Sequence, residues 1–168
     1  MQVIDNILTH EEHKELKEFF HSSHCPWHFN ERANQFFDDN FYFTQLLFDN
    51  QTFTTPWSEK YIKQLLKKIT QQLDSNVELL RAKANLFTNR NKTYHCGYHT
   101  DFLDVDDYYT LVYYINTNNG GTQIKNGNFY KSVENTGLLF YGNVEHESVT
   151  QTDTDIRTNI NLNFRKLS

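Results

Sequence analysis

Three side chains that commonly bind metals occur in this sequence at a spacing that suits one metal ion. The triplet His99-Thr100-Asp101 places an imidazole and a carboxylate two residues apart. On a β-strand, residues i and i+2 point to the same face, so both groups can reach one ion. A second imidazole, His146, comes much later, as a ligand on a separate strand would. Two histidines and one carboxylate with open coordination positions suit non-haem Fe(II), so we predict an iron site made by His99, Asp101 and His146.

A cationic residue follows the second histidine at a distance that allows the chain to turn back. Arg157 lies 11 residues after His146. If 145–149 and 156–164 pair as a hairpin with a turn near Gln151-Thr152, Arg157 lies directly opposite His146. A guanidinium binds a carboxylate through two parallel hydrogen bonds and keeps its charge. An isolated arginine on an edge strand is usually a surface residue, but this spacing favours a second interpretation. We expect Arg157 to hold the far carboxylate of a diacid that chelates the metal.

Helices come first in the chain, and strands must position the predicted ligands. Thr9 and Glu12 form a capping-box pattern, and Thr55-Pro56 has the form of an N-cap with a first-turn proline. From residue 77 the apolar period changes to two, and Asn126-Gly127 is a two-residue hairpin signal. The pattern predicts strands at 81–87, 108–116, 137–141, 145–149 and 156–164.

This order of elements predicts the fold class. Helices followed by short, regularly spaced strands indicate an α+β, mainly β protein with a jelly-roll barrel and supporting N-terminal helices. We see no internal boundary. We therefore expect one domain over 1–168, with helical support over about 1–75 and a barrel core over about 77–168.

Alternation within the last strand indicates where the polar residues point. One face of 156–164 and its continuation carries arginines and asparagines, and the other carries Ile160, Leu162 and Phe164. A solvated polar face is the ordinary explanation of such a pattern. Because this strand and 108–116 flank the proposed ligands, we favour a barrel with a polar interior. In that arrangement the apolar outer face is covered by the helices.

Composition excludes some classes of protein. The chain has 168 residues, 38% of them hydrophobic and 15% aromatic, so its core must rely on Phe and Tyr. No apolar run is long enough for a bilayer span or a signal peptide, so we expect no membrane association. The two cysteines form no CxxC pair, and we expect a reduced, cytoplasmic setting. The net charge of -5 argues against a protein that coats nucleic acid.

Other candidate sites have ordinary explanations. His21, His24, Cys25 and His28 have zinc-like spacing, but Pro26 interrupts it and no second ligand cluster accompanies it. His95 and Cys96 are interpreted as pocket rim or core rather than as ligands. The aromatic segment 27–43 is assigned to packing, with a weaker alternative in which it walls the mouth of a pocket.

Taken together, these motifs resemble one enzyme family. The chain is similar to the Fe(II)/2-oxoglutarate-dependent dioxygenases, in particular the prolyl-hydroxylase-like group and its small phage-encoded members. The resemblance covers roughly residues 80–165 and lies in the following segments: Tyr98-His99-Thr100-Asp101-Phe102, Leu111-Val112-Tyr113-Tyr114-Ile115-Asn116, Asn119-Gly120-Gly121-Thr122, Leu138-Leu139-Phe140, His146-Glu147-Ser148 and Arg157-Thr158-Asn159-Ile160-Asn161.

The resemblance implies a fold, a cofactor and a cosubstrate. The fold is a double-stranded β-helix (a cupin-like jelly roll) with Fe(II) on His99, Asp101 and His146. Arg157 is implied to bind the 5-carboxylate of 2-oxoglutarate with Tyr114 beside it. Asn159, at the position where many relatives have Ser or Thr, is assigned to the same pocket. No further catalytic residue is required, and we expect O2 as cosubstrate and ascorbate as reductant.

The substrate is the least constrained expectation. The resemblance favours hydroxylation of a protein or peptide C–H bond, with release of succinate and CO2. The alternatives are an AlkB-like oxidative nucleobase dealkylase, a small-metabolite or amino-acid hydroxylase, and a catalytically silent binding module. Against the dealkylase stand the acidic net charge and the absence of a basic, aromatic-rich arm, so nucleic acid is disfavoured as a partner. The oligomeric state stays open, and the cytoplasm would be that of a host cell if the chain is phage-encoded.

Overall fold

The computed structural model describes residues 1–32 and 40–167. Within these ranges the chain forms two helices, α1 (His10–Phe20) and α2 (Pro56–Leu73). Its strands are β1 (Gln2–Ile4), β2 (His28–Asn30), β3 (Tyr42–Asp49), β4 (Thr52–Phe53), β5 (Val77–Thr88), β6 (Tyr109–Tyr114), β7 (Gly121–Ile124), β8 (Phe129–Lys131), β9 (Thr136–Tyr141), β10 (His146–Val149) and β11 (Ile156–Lys166).

Both helices begin where the sequence predicts. The Thr9 hydroxyl accepts a hydrogen bond from the Glu12 amide, and the Glu12 carboxylate accepts one from the Thr9 amide. At α2 the same reciprocal pair joins Thr55 and Ser58, and a proline occupies the first turn. Each capping box satisfies two amides that have no partner inside the helix. The helix ends are therefore set by local chemistry.

The strands form two antiparallel sheets. The larger has the order β1-β9-β6-β11-β5-β3-β2, with β4 paired to β3, and the smaller has the order β10-β7-β8. The hairpin predicted at Asn126-Gly127 joins β7 to β8, and Asn126 has the positive φ (55°) that such a turn requires. The prediction of a mainly β protein with antiparallel sheets and supporting helices is confirmed.

The two faces of the larger sheet have opposite chemistry. The outer face packs against the helices, and its core includes Leu16, Ile62, Leu111, Ile160 and Phe164. The inner face is polar and yet buried. On β11 this inner face carries Arg157, Asn159 and Asn163, each no more than 1% exposed. The prediction of a polar barrel interior with helices outside is confirmed.

Two predictions about the layout are wrong. The first half of the chain is not mainly helical, because β1 to β4 lie there and β3 extends the larger sheet beside β5. The segments 145–149 and 156–164 do not form a hairpin. His146 is paired with Ile124 on β7, and Arg157 is paired with Phe87 on β5. The two strands belong to different sheets, which face each other across the barrel instead of lying side by side.

The aromatic segment 27–43 is only partly within the described residues, and Phe36 and Phe37 lie outside them. Phe29, Phe41 and Phe43 pack against one another, with ring centroids about 6 Å apart. Tyr42 points the other way and lines the barrel pocket. The packing prediction and its alternative therefore each fit part of the segment. No helix in the described ranges is long and apolar enough to cross a membrane.

Candidate metal centre

His99 and His146 are joined by an antiparallel bridge at the mouth of the barrel. The amide of each residue donates to the carbonyl of the other at 3.0 Å, and the ring centroids are 4.7 Å apart. Each ring also has its Nδ1 atom beside a carbonyl two residues earlier in the chain, that of Gly97 at 3.1 Å and that of Val144 at 3.0 Å. A carbonyl only accepts, so each Nδ1 carries the proton and each Nε2 keeps its lone pair. Both Nε2 atoms are therefore available as ligands.

Asp101 brings the carboxylate to the same place and is held there by three side chains. Asn163 and Thr110 donate to its Oδ2 at 2.8 and 3.0 Å, and Arg81 donates to its Oδ1 at 3.1 Å. Burial would raise the pKa of this carboxyl, but His146, Arg81, Asn163 and His99 outweigh it and lower the pKa. The carboxylate is therefore ionised at neutral pH, in the form that binds a metal.

The ligand atoms of His99, Asp101 and His146 all lie within 4.8 Å of one another. Within residues 1–32 and 40–167 this is the one cluster of three or more such side chains. The His146 Nε2 atom is buried and has no hydrogen-bond partner, and it lies 4.0 Å from the Asp101 carboxylate. Burial also lowers the pKa of His146, which keeps the imidazole neutral. An orphaned, neutral nitrogen beside an ionised carboxylate fits a divalent cation of the type that binds imidazole and carboxylate.

Arg157 lies deep in the barrel. Its Nε donates to the Ser132 hydroxyl at 3.0 Å and its Nη2 to the Gly121 carbonyl at 2.9 Å, while Nη1 is buried without a partner. The guanidinium lies over the ring of Phe87, 5.2 Å from the centroid. No carboxylate among the described residues pairs with it, and burial lowers its pKa. A buried cation without a counter-charge is costly, so this pocket is built for an anionic group.

The remaining predicted pocket residues surround Arg157. Tyr114 is buried and donates to the Thr122 hydroxyl at 2.9 Å. Burial raises the pKa of its phenol, and the positive charge of Arg157 opposes that rise in part. Asn159 is paired with Tyr114 across the strands and accepts a hydrogen bond from Asn85 at 2.9 Å. Both residues therefore line the barrel interior. Gly120 is needed nearby, because a Cβ there would lie 2.7 Å from a backbone oxygen and 3.0 Å from the Arg157 side chain.

A cavity of about 40 Å³ connects the metal ligands to this interior. It is lined by side chains of the larger sheet, of β10 in the smaller sheet and of the segment between β5 and β6: Tyr42, Lys83, Asn85, Phe87, Cys96, His99, Asp101, Ser148 and Asn161. This volume holds about one water molecule, so a larger ligand must displace side chains on the rim. Tyr42 and Lys83 are the half-buried, extended side chains of that rim. The route to the metal therefore crosses the inner face of β3 and β5, which are hydrogen-bonded neighbours in the larger sheet.

The other candidate residues differ in their position relative to the cavity. Cys96 is buried and lines the cavity, whereas the side chain of His95 is 63% exposed and points to the outer surface. There the Nδ1 of His95 lies 2.7 Å from the carboxylate of Glu147. In the zinc-like segment, His21 bonds to the Thr158 hydroxyl, and burial raises the pKa of Cys25 to about 12. Neither segment brings three ligand atoms together.

Several residues of the site were not identified from the sequence. These are the partners of Asp101 and Arg157 and the cationic residue of the cavity wall: Arg81, Thr110, Asn163, Ser132 and Lys83. A signal was present for four of them, because strand alternation had placed Thr110 and Asn163 on the polar faces of 108–116 and of 156–164 with its continuation. On β5, Arg81, Lys83, Asn85 and Phe87 alternate with small or apolar residues, as the polar side of a barrel strand does. Ser132 gave no local signal.

Solved structures share this fold over nearly the whole chain. An oxidoreductase of the 2OG-Fe(II) oxygenase family from Burkholderia pseudomallei has 13% identity and a TM-score of 0.77, over 97% of this chain and 84% of that one. A viral collagen prolyl hydroxylase from Paramecium Bursaria Chlorella virus-1, in complex with 2OG, has 14% identity and a TM-score of 0.63 (98% and 95% covered).

A third similar structure contains a peptide. It is a prolyl hydroxylase from Trichoplax adhaerens in complex with a fragment of the hypoxia inducible factor oxygen degradation domain, with 14% identity and a TM-score of 0.69 (98% and 82% covered). No protein-family model and no curated protein matches the sequence. The structural likeness confirms the predicted resemblance for the fold. The chain has the double-stranded β-helix fold of the 2-oxoglutarate-dependent Fe(II) oxygenases.

Proposed function

We propose that this protein is an Fe(II)- and 2-oxoglutarate-dependent dioxygenase. The observation that carries the proposal is the pairing of two features in one barrel. An ionised carboxylate and two Nε2 atoms converge at its mouth, and an arginine without a counter-charge lies deeper inside. A diacid with one end on the metal and the other on Arg157 satisfies both. The fold shared with enzymes of this type supports the same assignment.

Each residue has a defined task in this proposal. His99, Asp101 and His146 hold the metal, and Arg81, Thr110 and Asn163 hold the Asp101 carboxylate in place. The Arg157 Nη1 atom would bind the far carboxylate of the cosubstrate, while Ser132 and Gly121 hold the other two nitrogens. The Tyr114 hydroxyl and the Asn159 amide lie beside that position.

The bound iron and 2-oxoglutarate supply the oxidising chemistry: O2 is consumed, succinate and CO2 are released, and a substrate C–H bond is hydroxylated. The protein contributes orientation and exclusion of water. Arg157 and Tyr114 are buried, so the attraction between the guanidinium and a cosubstrate carboxylate would act in a medium of low dielectric constant and be strong. The guanidinium lies over the phenyl ring of Phe87, which also lines the cavity. No side chain is assigned as a general base, and ascorbate is proposed only as the reductant that keeps the iron ferrous.

We further propose a protein or peptide substrate, oxidised at proline. Two observations support it. Prolyl hydroxylases are among the structurally similar proteins, and one of them is seen with a peptide. The net charge of -5 disfavours a nucleic acid.

The test is substrate-dependent succinate release. With Fe(II), ascorbate and 2-oxoglutarate, we expect slow release alone and faster release with a proline-containing peptide, which gains about 16 Da, the mass of the one oxygen atom that such an iron site inserts. The His99→Ala variant is the inactive control. Demethylation of a methylated single-stranded oligonucleotide, with no peptide oxidised, would instead identify a nucleobase dealkylase. Absence of 2-oxoglutarate turnover with every substrate would contradict the dioxygenase assignment itself.

A further inference from the structure

Lys83 is a cation in the wall of the metal cavity that the proposed chemistry does not use. It lies on β5, paired across the sheet with Asn161 inside the barrel and with Leu46 on β3. Its side chain lines the same cavity as His99 and Asp101. Leu46 is 39% exposed. Lys83 therefore lies at the boundary between the metal and the open face of β3, where a substrate must approach.

The ammonium of Lys83 is not paired with a carboxylate among the described residues, because Asp101 is hydrogen-bonded to Arg81 instead. Among the described residues it makes no hydrogen bond and no ion pair, and its nitrogen lies over the ring of Tyr42, 5.9 Å from the centroid. Burial is the main cause that lowers its pKa, and Arg81 lowers it further, while Asp101 acts in the opposite direction. A half-buried ammonium facing another cation is destabilised unless an anion joins it.

Binding of iron and 2-oxoglutarate would not neutralise the positive charge of Lys83. Arg81 is paired with Asp101. Under the proposed function, Arg157 is paired with one carboxylate of 2-oxoglutarate, and the other carboxylate goes to the metal. Lys83 is then the cation of the described pocket that still lacks a partner. Its flexible stem places a point charge, which suits a carboxylate that approaches from the rim.

We propose that Lys83 is a specificity-determining residue that binds a carboxylate of the substrate. The substrate would then carry a carboxylate close to the carbon that is hydroxylated. This inference rests on the proposed function and narrows its substrate class. Two sources of the carboxylate share this chemistry: the free acid of a small substrate, and an acidic side chain beside the target residue of a peptide. Tyr42 and Leu46 would contact the neighbouring apolar part of the substrate.

Matched probes separate charge from shape. N-acetyl-L-proline and N-acetyl-L-prolinamide differ only in the carboxylate, and they test a free acid. An acetylated and amidated proline pentapeptide with Glu beside the proline, and its Gln twin, test an acidic side chain. Dissociation constants are measured by calorimetry on the iron-free protein, and succinate release is measured on the iron-loaded protein. The probe pair in which the acid is preferred more strongly over its amide shows whether the carboxylate is that of a free acid or of a peptide side chain.

The variants are Lys83→Gln, Lys83→Arg and the control Lys67→Gln, an exposed lysine of α2 on the other side of the sheet. Lys83→Gln should weaken binding of the preferred acid roughly 10- to 100-fold, the effect of losing a charged hydrogen bond, and leave its amide twin unchanged. Lys83→Arg should retain most of the preference, and Lys67→Gln all of it. Thermal melting confirms that each variant is folded; removal of an unpaired cation should not lower its stability.

Two results would overturn the inference. One is equal binding of acid and amide by the wild-type protein in both pairs, and the other is an acid preference that survives in a folded Lys83→Gln variant. These failures are separable from failure of the proposed function. Succinate release from 2-oxoglutarate without any acid preference would retain the dioxygenase and reject the role of Lys83. A preference for the acid in calorimetry, without turnover of 2-oxoglutarate, would retain carboxylate binding by Lys83 and reject the dioxygenase.

Discussion

His99 and His146 face each other across a two-hydrogen-bond antiparallel bridge, with each amide donating to the other's carbonyl at 3.0 Å. The pairing fixes both backbones, and the carbonyls of Gly97 and Val144 fix both ring orientations. Because neither ring has to be ordered when an ion binds, little conformational entropy is lost in forming the site. The two imidazoles form a preorganised half of the metal centre, and Asp101 supplies the other half.

The first prediction concerns iron. Anaerobic titration with Fe(II) should show about one ion per chain, and His99→Ala or His146→Ala should each remove most of the affinity, because each deletes one of three ligands. The His24→Ala variant changes an exposed histidine outside the cluster and should bind iron as the wild type does. Full affinity in both ligand variants would place the metal elsewhere.

The second prediction concerns the cosubstrate. Arg157→Met should raise the requirement for 2-oxoglutarate by roughly 30- to 1000-fold, on the order of 2–4 kcal/mol for a buried charged pair, with little change in Fe(II) binding. The same variant should lose the rise in melting temperature that 2-oxoglutarate gives the wild type. Arg165→Gln, on the same strand, serves as control. An unaltered response to 2-oxoglutarate in Arg157→Met would mean that another residue binds the diacid.

The third prediction concerns the support of Asp101. Asn163 donates the shortest of the three hydrogen bonds to this carboxylate, at 2.8 Å. Asn163→Ala should lower Fe(II) affinity roughly 10- to 100-fold while both histidines remain, since loss of a residue that orients a ligand has effects of this size. The exposed Asn143→Ala variant is the matched control. Equal Fe(II) titrations for the two variants would show that Asp101 is oriented without Asn163.

The fourth prediction concerns acid stability. Burial lowers the pKa of His13 below its ordinary value of 6.5, and its Nδ1 lies 2.7 Å from the Tyr113 hydroxyl. Below pH 6.5 His13 is therefore protonated more readily in the unfolded chain than in the folded protein. The free energy of unfolding falls as the pH falls. Urea denaturation of the metal-free protein at pH 7.5 and 5.5 measures this loss.

A variant isolates the contribution of His13. In His13→Gln the loss between the two pH values should be smaller, because one of the depressed histidines is gone; His21 and His146 have lowered pKa values as well and retain theirs. His24→Gln, at an exposed histidine that is not among the groups acting on His13, should behave as the wild type. An identical loss in His13→Gln and wild type would show that His13 does not contribute to the acid sensitivity.

Local patterns in the sequence determined the metal-binding candidates and the faces of the strands. The side-chain alternation of a strand has a period of two, so the asparagines of β11 had to share a face with Arg157. The two-residue spacing of His99 and Asp101 identified both ligands, but the strand predicted for them is wrong: His99 forms an isolated β-bridge and Asp101 lies in the loop between β5 and β6. Capping chemistry is equally local, and both helix starts followed from it. These features depend on neighbours within a few residues, which a sequence displays directly.

Strand partners were decided only by the tertiary structure. Arg157 and His146 belong to opposite sheets, although their spacing along the chain suited a hairpin, because β10 pairs with β7 and β11 lies between β5 and β6. The same holds for Arg81 beside Asp101 and Ser132 beside Arg157, which are 20 and 25 residues apart in sequence. Which strands pair depends on the packing of the whole barrel and on loop closure over long separations, and no local pattern encodes it.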